Sequence, residues 1–371
     1  MKDTTKYVGL DVSKEKISVA IADSGREPAR YFGVIAHRPE TVRRLLKKLG
    51  TPDQLELCYE ARPTGFELYR WITAMGYSCT VIAPSHTPSR PGDQVKTDRR
   101  DSERLAQLFR AGELTAVHIP SREDEALRDL IRLRADAKED LHRCRQRIIH
   151  FLLRRMIQQP AEMKRRWSKK YREWLEKLTF DYESEQLTFQ EYLYAHRECE
   201  ERLKRVEAAM VEQALKGTRA EIIQAVQALR GIALTTAITI VAEIGSFRRF
   251  RSPAQLLAYL GMVPRKYSSG QTVKRGSLTK TGNRNVRRVF IEAAWSYRHR
   301  PAVKGELAKR LENQNPEFQS ISWKAQYRLH NKYLRLLRRG KHSNLAIAAV
   351  ARELVGFVWA VACEAERRQT A

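Results

Sequence analysis

Short apolar runs fill the first third of the chain, and their lengths separate strands from helices. Runs at 7–11, 17–23 and 30–35 predict three consecutive strands, followed by a helix at 39–49, a strand at 55–59, a helix at 64–75 and a strand at 78–82. Three strands in succession and then strand-helix alternation predict a mixed sheet with helices packed against it. Residues 84–95 contain Pro84, Pro88 and Pro91, too much proline for regular structure, so a mobile approach is expected there. A helix over 101–111 follows, with Leu105, Ala106, Leu108 and Phe109 facing inward.

The period then lengthens. Leu127, Leu130, Ala137, Leu141, Cys144, Ile148 and Phe151 keep a three-four spacing interrupted by Arg134, and Leu203, Val206 and Met210 continue a similar stripe. This predicts two long helices folded back as an antiparallel coiled coil. Beyond 219 the chain is helical and more apolar. Leu229 to Gly245 reads as two apolar segments pinched at Gly231 and closed at Gly245, a helix-hairpin-helix that either offers amides to a phosphate or is purely structural. The longest apolar run, 345–363, carries Arg352 and Glu353 and reads as a buried helix; with no apolar signal segment at the N-terminus, a soluble cytoplasmic protein without a membrane partner is expected. The composition shifts divide the chain at 1–118, 119–218 and 219–371.

Charge changes the picture most. Lys and Arg number 69 against 43 acids, a net charge of +26, which favours a polyanionic partner over the alternatives of a ribosome-associated or membrane-surface protein. The five cysteines are scattered and include no C-x-x-C pair, which points to a reducing compartment. His196 and Cys199 stand three apart without a second ligand pair, so zinc is not expected.

Three acidic signals carry candidate chemistry. The first strand ends on Asp11, the fourth on Glu60 before the turn-prone Arg62-Pro63-Thr64-Gly65, and a helix beginning near Thr97 puts Asp98 and Asp101 on one face. Each alone is an ordinary cap, loop or solvated-helix residue. Together, four carboxylates from two strand ends and a helix start suit a pair of Mg2+ or Mn2+ ions, which activate an attacking oxygen and neutralise a phosphate. Lys164, Arg165, Arg166, Lys169, Lys170 and Arg172 alternate with Trp167, Tyr171 and Trp174 between the long helices. That pattern fits either cations and stacking rings for RNA, or a solvated tip whose rings pack the hairpin. Residues 265–284 are polar, basic and glycine-punctuated, with no apolar period. A serine beside Gly270, among Arg265, Lys266, Lys274, Arg275, Lys280 and Arg284, suits attack on a phosphate or its binding; as Ser-Ser-Gly it is also a common loop.

G-L-D-V-S-K at 9–14, Y-E-A-R-P-T-G at 59–65, V-K-T-D-R-R-D at 95–101, G-M-V-P-R-K-Y-S-S-G at 261–270 and K-T-G-N at 280–283 resemble the DEDD-type insertion-sequence transposases, described as bridge-RNA-guided serine recombinases. The resemblance spans nearly the whole chain. It implies an N-terminal RuvC-like domain of the ribonuclease H fold, a central coiled coil and a mainly helical C-terminal serine domain. It places the quartet on Asp11, Glu60, Asp98 and Asp101 and the nucleophile on Ser269, with Lys96 and the basic residues of the tip and serine loop on nucleic acid. It also implies a phosphoserine intermediate, two divalent ions, a structured guide RNA, donor and target DNA, and a homodimer assembling to a tetramer with composite active sites at the nucleoid. Residues 313–340, with I-S-W-K at 321–324 and the basic run at 332–339, resemble a subgroup with an extended C-terminal domain. A RuvC-like nuclease or junction resolvase, using the same acids with water as nucleophile, is the alternative.

Overall fold

The computed structural model describes residues 5–61, 64–84, 87–88, 97–269 and 272–369. The chain separates into two compact units that divide between Ile119 and Pro120.

The first unit is a five-stranded mixed sheet. Its strands are β1 (Lys6–Val12), β2 (Lys16–Asp23), β3 (Arg30–Ala36), β4 (Leu55–Glu60) and β5 (Ser78–Ile82), in the order β3-β2-β1-β4-β5. β1, β2 and β3 pair antiparallel, whereas β4 runs parallel to β1 and β5 parallel to β4. This arrangement is consistent with a RuvC-like domain. α1 (Pro39–Leu49) and α2 (Glu67–Ala74) contribute Val42, Leu45, Leu46, Leu68 and Ile72 to one core with Val8, Leu10, Ile17, Val19, Leu57 and Tyr59. The opposite face carries α3 (Asp98–Arg110), which seals Ala20 and Ala22 with Ala106, and Cys58 and Ile82 with Leu105. The strands at 7–11, 17–23, 30–35, 55–59 and 78–82 and the helix at 39–49 lie where the hydrophobic pattern places them. The helix expected from 64 begins at Glu67, after a turn, and most of the proline-rich approach at 84–95 lies outside the described residues.

The second unit begins with α4 (Arg122–Leu153), α5 (Lys169–Glu176) and α6 (Glu183–Lys216). α4 and α6 lie antiparallel, as their cross-pairs show: Arg134 meets Glu207, Arg145 meets Glu200 and Arg155 meets Glu185. Arg134 interrupts the apolar stripe because it reaches across to this glutamate. The remainder comprises α7 (Ala220–Val226), α8 (Leu234–Ile244), α9 (Pro253–Tyr259), the hairpin of β6 (Pro264–Ser269) and β7 (Thr272–Leu278), α10 (Arg284–Ala294), α11 (Glu306–Glu312), α12 (Pro316–Arg338) and α13 (Ser343–Gln369).

α13 is long and apolar enough to cross a membrane by length and composition. Its Ala346, Ile347, Val350, Leu354, Val355, Val358 and Val361 nevertheless sit in the core with residues of α7, α8, α10 and α12. Its Glu353 pairs with Lys332 at 2.7 Å and with Arg328. It is the central helix of this unit. The serine segment corrects the expectation of a loop: it is a strand pair. Its exposed residues leave no hydrophobic alternation to read, and the pairing is made by backbone groups.

Candidate active site

The placement of the acids starts from a glycine. A Cβ on Gly9 would clash with the Ser102 carbonyl oxygen and lie 2.5 Å from Ala106 N, so only glycine lets α3 lie directly on β1. α3 runs antiparallel to β1. Phe109 meets Tyr7 edge-on with ring centroids 5.9 Å apart, Ser102 and Ala106 cover Gly9, and the first turn with Asp98 and Asp101 is therefore carried toward Asp11. Asp11 shares a strand face with Gly9, the face that α3 covers. Asp11 is only 7% exposed, an unusual burial for an acid.

Glu60 follows from register. Gly9 aligns with Cys58 and Leu10 with Tyr59 in parallel, so one further step sets Glu60 beside Asp11 at the same end of the sheet. Thr87 Oγ1 donates to Glu60 Oε1 at 3.0 Å, a contact that the sequence did not indicate. Thr97 caps α3 by accepting from Arg100 N, and two carboxylates in that first turn complement the helix dipole.

The topology thus carries Asp11, Glu60, Asp98 and Asp101 toward the same end of the sheet. These hard oxygen donors fit a divalent cation in kind. Among the described residues no three His, Cys, Asp or Glu side chains stand close enough to hold an ion, so the fit is one of donor type and placement, not of spacing.

Ser269 ends β6, exposed, and pairs with Thr272 of β7. Strand alternation puts it on the face of Tyr267, whereas Ser268 shares the opposite face with Lys266. The hairpin base is locked by two reciprocal approaches. A Cβ on Gly261 (φ 62°) would run into Thr281, and one on Gly282 (φ 76°) into Tyr259. Asn283 caps α10 by accepting from Val286 N at 3.0 Å, and its Nδ2 donates to the buried Glu243 at 2.7 Å. Gly261, Gly282 and Asn283 are thereby structural.

A family model described as transposase of the IS116/IS110/IS902 family matches residues 223–307, and a DEDD transposase model of the IS110 type matches residues 8–157. The candidate transposase y4qE of Sinorhizobium fredii is 43% identical over 366 residues, 98% of this chain and 90% of its own length. The transposase for insertion sequence element IS1533 of Leptospira borgpetersenii is 31% identical over 338 residues, 90% of this chain and 97% of its own. The chain belongs to the IS110/IS116 family of DEDD transposases. A transposase of this family acts on DNA, and DEDD-type domains use divalent metal. All four acids fall within the first 157 residues, inside the DEDD match, and Ser269 falls inside the match at 223–307.

The basic residues of this transposase divide. Lys164, Arg165, Arg166, Lys169 and Lys170 are exposed at the tip, as are Arg265, Lys266, Lys280 and Arg284 around the hairpin. Lys96 lies outside the described residues, and so do Gly270 and the side chains of Lys274 and Arg275. The tip aromatics have a packing role. Tyr171 is buried, and Trp167 and Trp174 pack with it against Phe151, Leu175 and Phe189, because three large rings cover the hairpin end that α4 and α6 leave open. Trp167 also stacks on His196 at 4.7 Å beneath Arg145. Tyr171 is buried and Trp167 and Trp174 are half-buried, so the rings contribute packing to the hairpin end while the cations around them are exposed. His196 is likewise a core residue: burial holds its imidazole below its ordinary pKa, against the opposing pull of Glu200.

Proposed function

We propose that this transposase cuts and rejoins DNA through a phosphoserine link to Ser269, assisted by divalent metal, magnesium or manganese, held by Asp11, Glu60, Asp98 and Asp101, and directed by a structured guide RNA. The observation that supports the proposal is the direction of the four acids toward one end of the sheet, where Gly9 lets α3 lie on β1, in a chain whose exposed β6 carries Ser269. Metal bound there would supply charge neutralisation to the scissile phosphate. The chain's own part is nucleophilic. Ser269 Oγ forms a bond to phosphorus as its proton departs, the bond to one deoxyribose oxygen breaks, and that oxygen takes up a proton. Attack by a hydroxyl of another strand reverses these changes and frees the serine, so neither water nor ATP is consumed. The exposed cations of the tip and hairpin would hold phosphates of RNA and DNA without reading bases. The three-part division at 118 and 218, a coiled-coil joint between protomers, composite sites in a dimer or tetramer, and action at the bacterial nucleoid complete this reading.

The test incubates the protein with its copurifying RNA, DNA and magnesium, denatures it, and searches for DNA attached to a serine-containing peptide. Ser269→Ala is expected to abolish the adduct while fold and assembly persist, and Ser268→Ala, on the other face, to retain it. Asp101→Asn is expected to abolish recombination and leave RNA binding within a fewfold. Strand cleavage at full rate in Ser269→Ala would mean that water attacks, and a RuvC-like nuclease would replace this reading.

A further inference from the structure

α12 lies beyond both matched family ranges and has two unlike faces. Phe318, Ser322, Ala325, Leu329, His330 and Tyr333 are buried. On the solvent side Trp323 is 43% and Tyr327 51% exposed, one helical turn apart, with their rings edge-to-face at 5.1 Å. Lys324, Arg335 and Arg338 continue that stripe, exposed, over about 22 Å of helix axis. Arg328 lies on it too, 71% exposed although it pairs with Glu353. Among the described residues no carboxylate pairs with Lys324, Arg335 or Arg338. Two large rings left side by side in water are costly for a soluble surface. The tip differs: there the rings are buried or half-buried in one packed cluster, here they face outward beside uncompensated cations.

We propose that this face of α12 binds a single strand of DNA, with unstacked bases against Trp323 and Tyr327 and phosphates against Lys324, Arg335 and Arg338. Exposed rings can stack only on bases that are not already stacked in a duplex, which selects an unpaired strand. The run of cations selects a polyanion over an apolar protein surface. DNA is the substrate class of the family, and strand exchange by any chemistry separates its strands. Beyond this surface the proposal draws only on family membership and requires neither the acids nor Ser269, so its failure would leave the proposed reaction standing.

The experiment uses the full chain with a fluorescein-labelled 12-nucleotide oligo(dT), oligo(U) of the same length and a duplex control, read by anisotropy across a salt series and by intrinsic tryptophan fluorescence. Trp323→Ala is expected to weaken oligo(dT) binding by at least about fivefold and leave the duplex unaffected. Trp323→Phe is expected to keep most of the affinity while removing part of the fluorescence quenching. Arg335→Gln with Arg338→Gln is expected to flatten the log-log salt slope by about 0.7 for each phosphate that is no longer neutralised. All three positions are exposed, so folding is retained and circular dichroism confirms it. Unchanged oligo(dT) affinity in Trp323→Ala would overturn the proposal. So would tighter binding of oligo(U), which would make the strand RNA, or a change in oligomeric state in its place, which would make the face a contact with a second copy.

Discussion

At the scale of single residues, Gly9 does the most positioning for the least mass. A side chain there must push α3 off β1, because the obstacles are the Ser102 and Ala106 backbone, which cannot rotate away. Gly9→Val is expected to cost about 1–3 kcal/mol of stability, by analogy with overpacked cores. It should also reduce activity more than stability alone explains, since Asp98 and Asp101 ride on the displaced helix. A denaturant midpoint measured beside recombination rate checks both; a well-folded, fully active variant would show that the acids need no such approach. The sequence G-L-D at 9–11 displayed the acid and the glycine, but glycine in a strand announces only that something comes close, not which backbone does. The hydroxyl of Thr87 on Glu60 was equally invisible, because 27 residues separate the partners.

Among the elements, the helical hairpin of α4 and α6 shows how one motif holds two kinds of residue. Its period was legible, and so was the alternation of cations and rings at the tip; which way the rings faced was not. Replacing Lys164, Arg165, Lys169 and Lys170 with alanine is expected to weaken RNA binding and flatten its salt dependence by about 0.7–0.9 per phosphate left unneutralised, with little change in Tm. Trp167→Ala should do the reverse, lowering stability by roughly 1–3 kcal/mol as its packing on Tyr171, His196 and Arg145 disappears. If Trp167→Ala left stability intact and abolished RNA binding, the rings would after all serve the ligand.

For the molecule as a whole, the second unit closes on a charged triad drawn from three distant stretches. Arg219 donates to both oxygens of Asp124, at 2.5 and 2.8 Å, and lies 3.6 Å from Glu366. Glu366 in turn accepts from Phe247 N at 2.8 Å and Arg248 N at 3.0 Å. Burial alone would raise the Asp124 carboxyl, but the hydrogen bonds and charge of Arg219 outweigh it, so Asp124 titrates below its ordinary value. A depressed folded pKa contributes stability that is full above the unfolded value, about 3.9, and is lost as pH falls through the folded one. Asp124→Asn is therefore expected to be less stable near neutral pH, by about 1.5–3 kcal/mol. Its stability should also decline less steeply below pH 4, as urea midpoints at pH 7 and pH 3 would report. Parallel pH curves for the two proteins would remove Asp124 from the acid response.

Local order along the chain was enough to determine the strands of the mixed sheet, the start of α3 at its Thr97 cap, the long helices and the family motifs, because periodicity and capping are properties of neighbouring residues. Contact between distant segments decided the rest. The parallel register that sets Glu60 beside Asp11, the approach of α3 over Gly9 and the packing of the tip rings all depend on segments separated by tens of residues. Exposure of Trp323 and Tyr327 depends on them as well. A helical stripe shows that a helix has two faces, but only the packed molecule selects which face is covered, since burial is a property of what arrives from elsewhere in the chain.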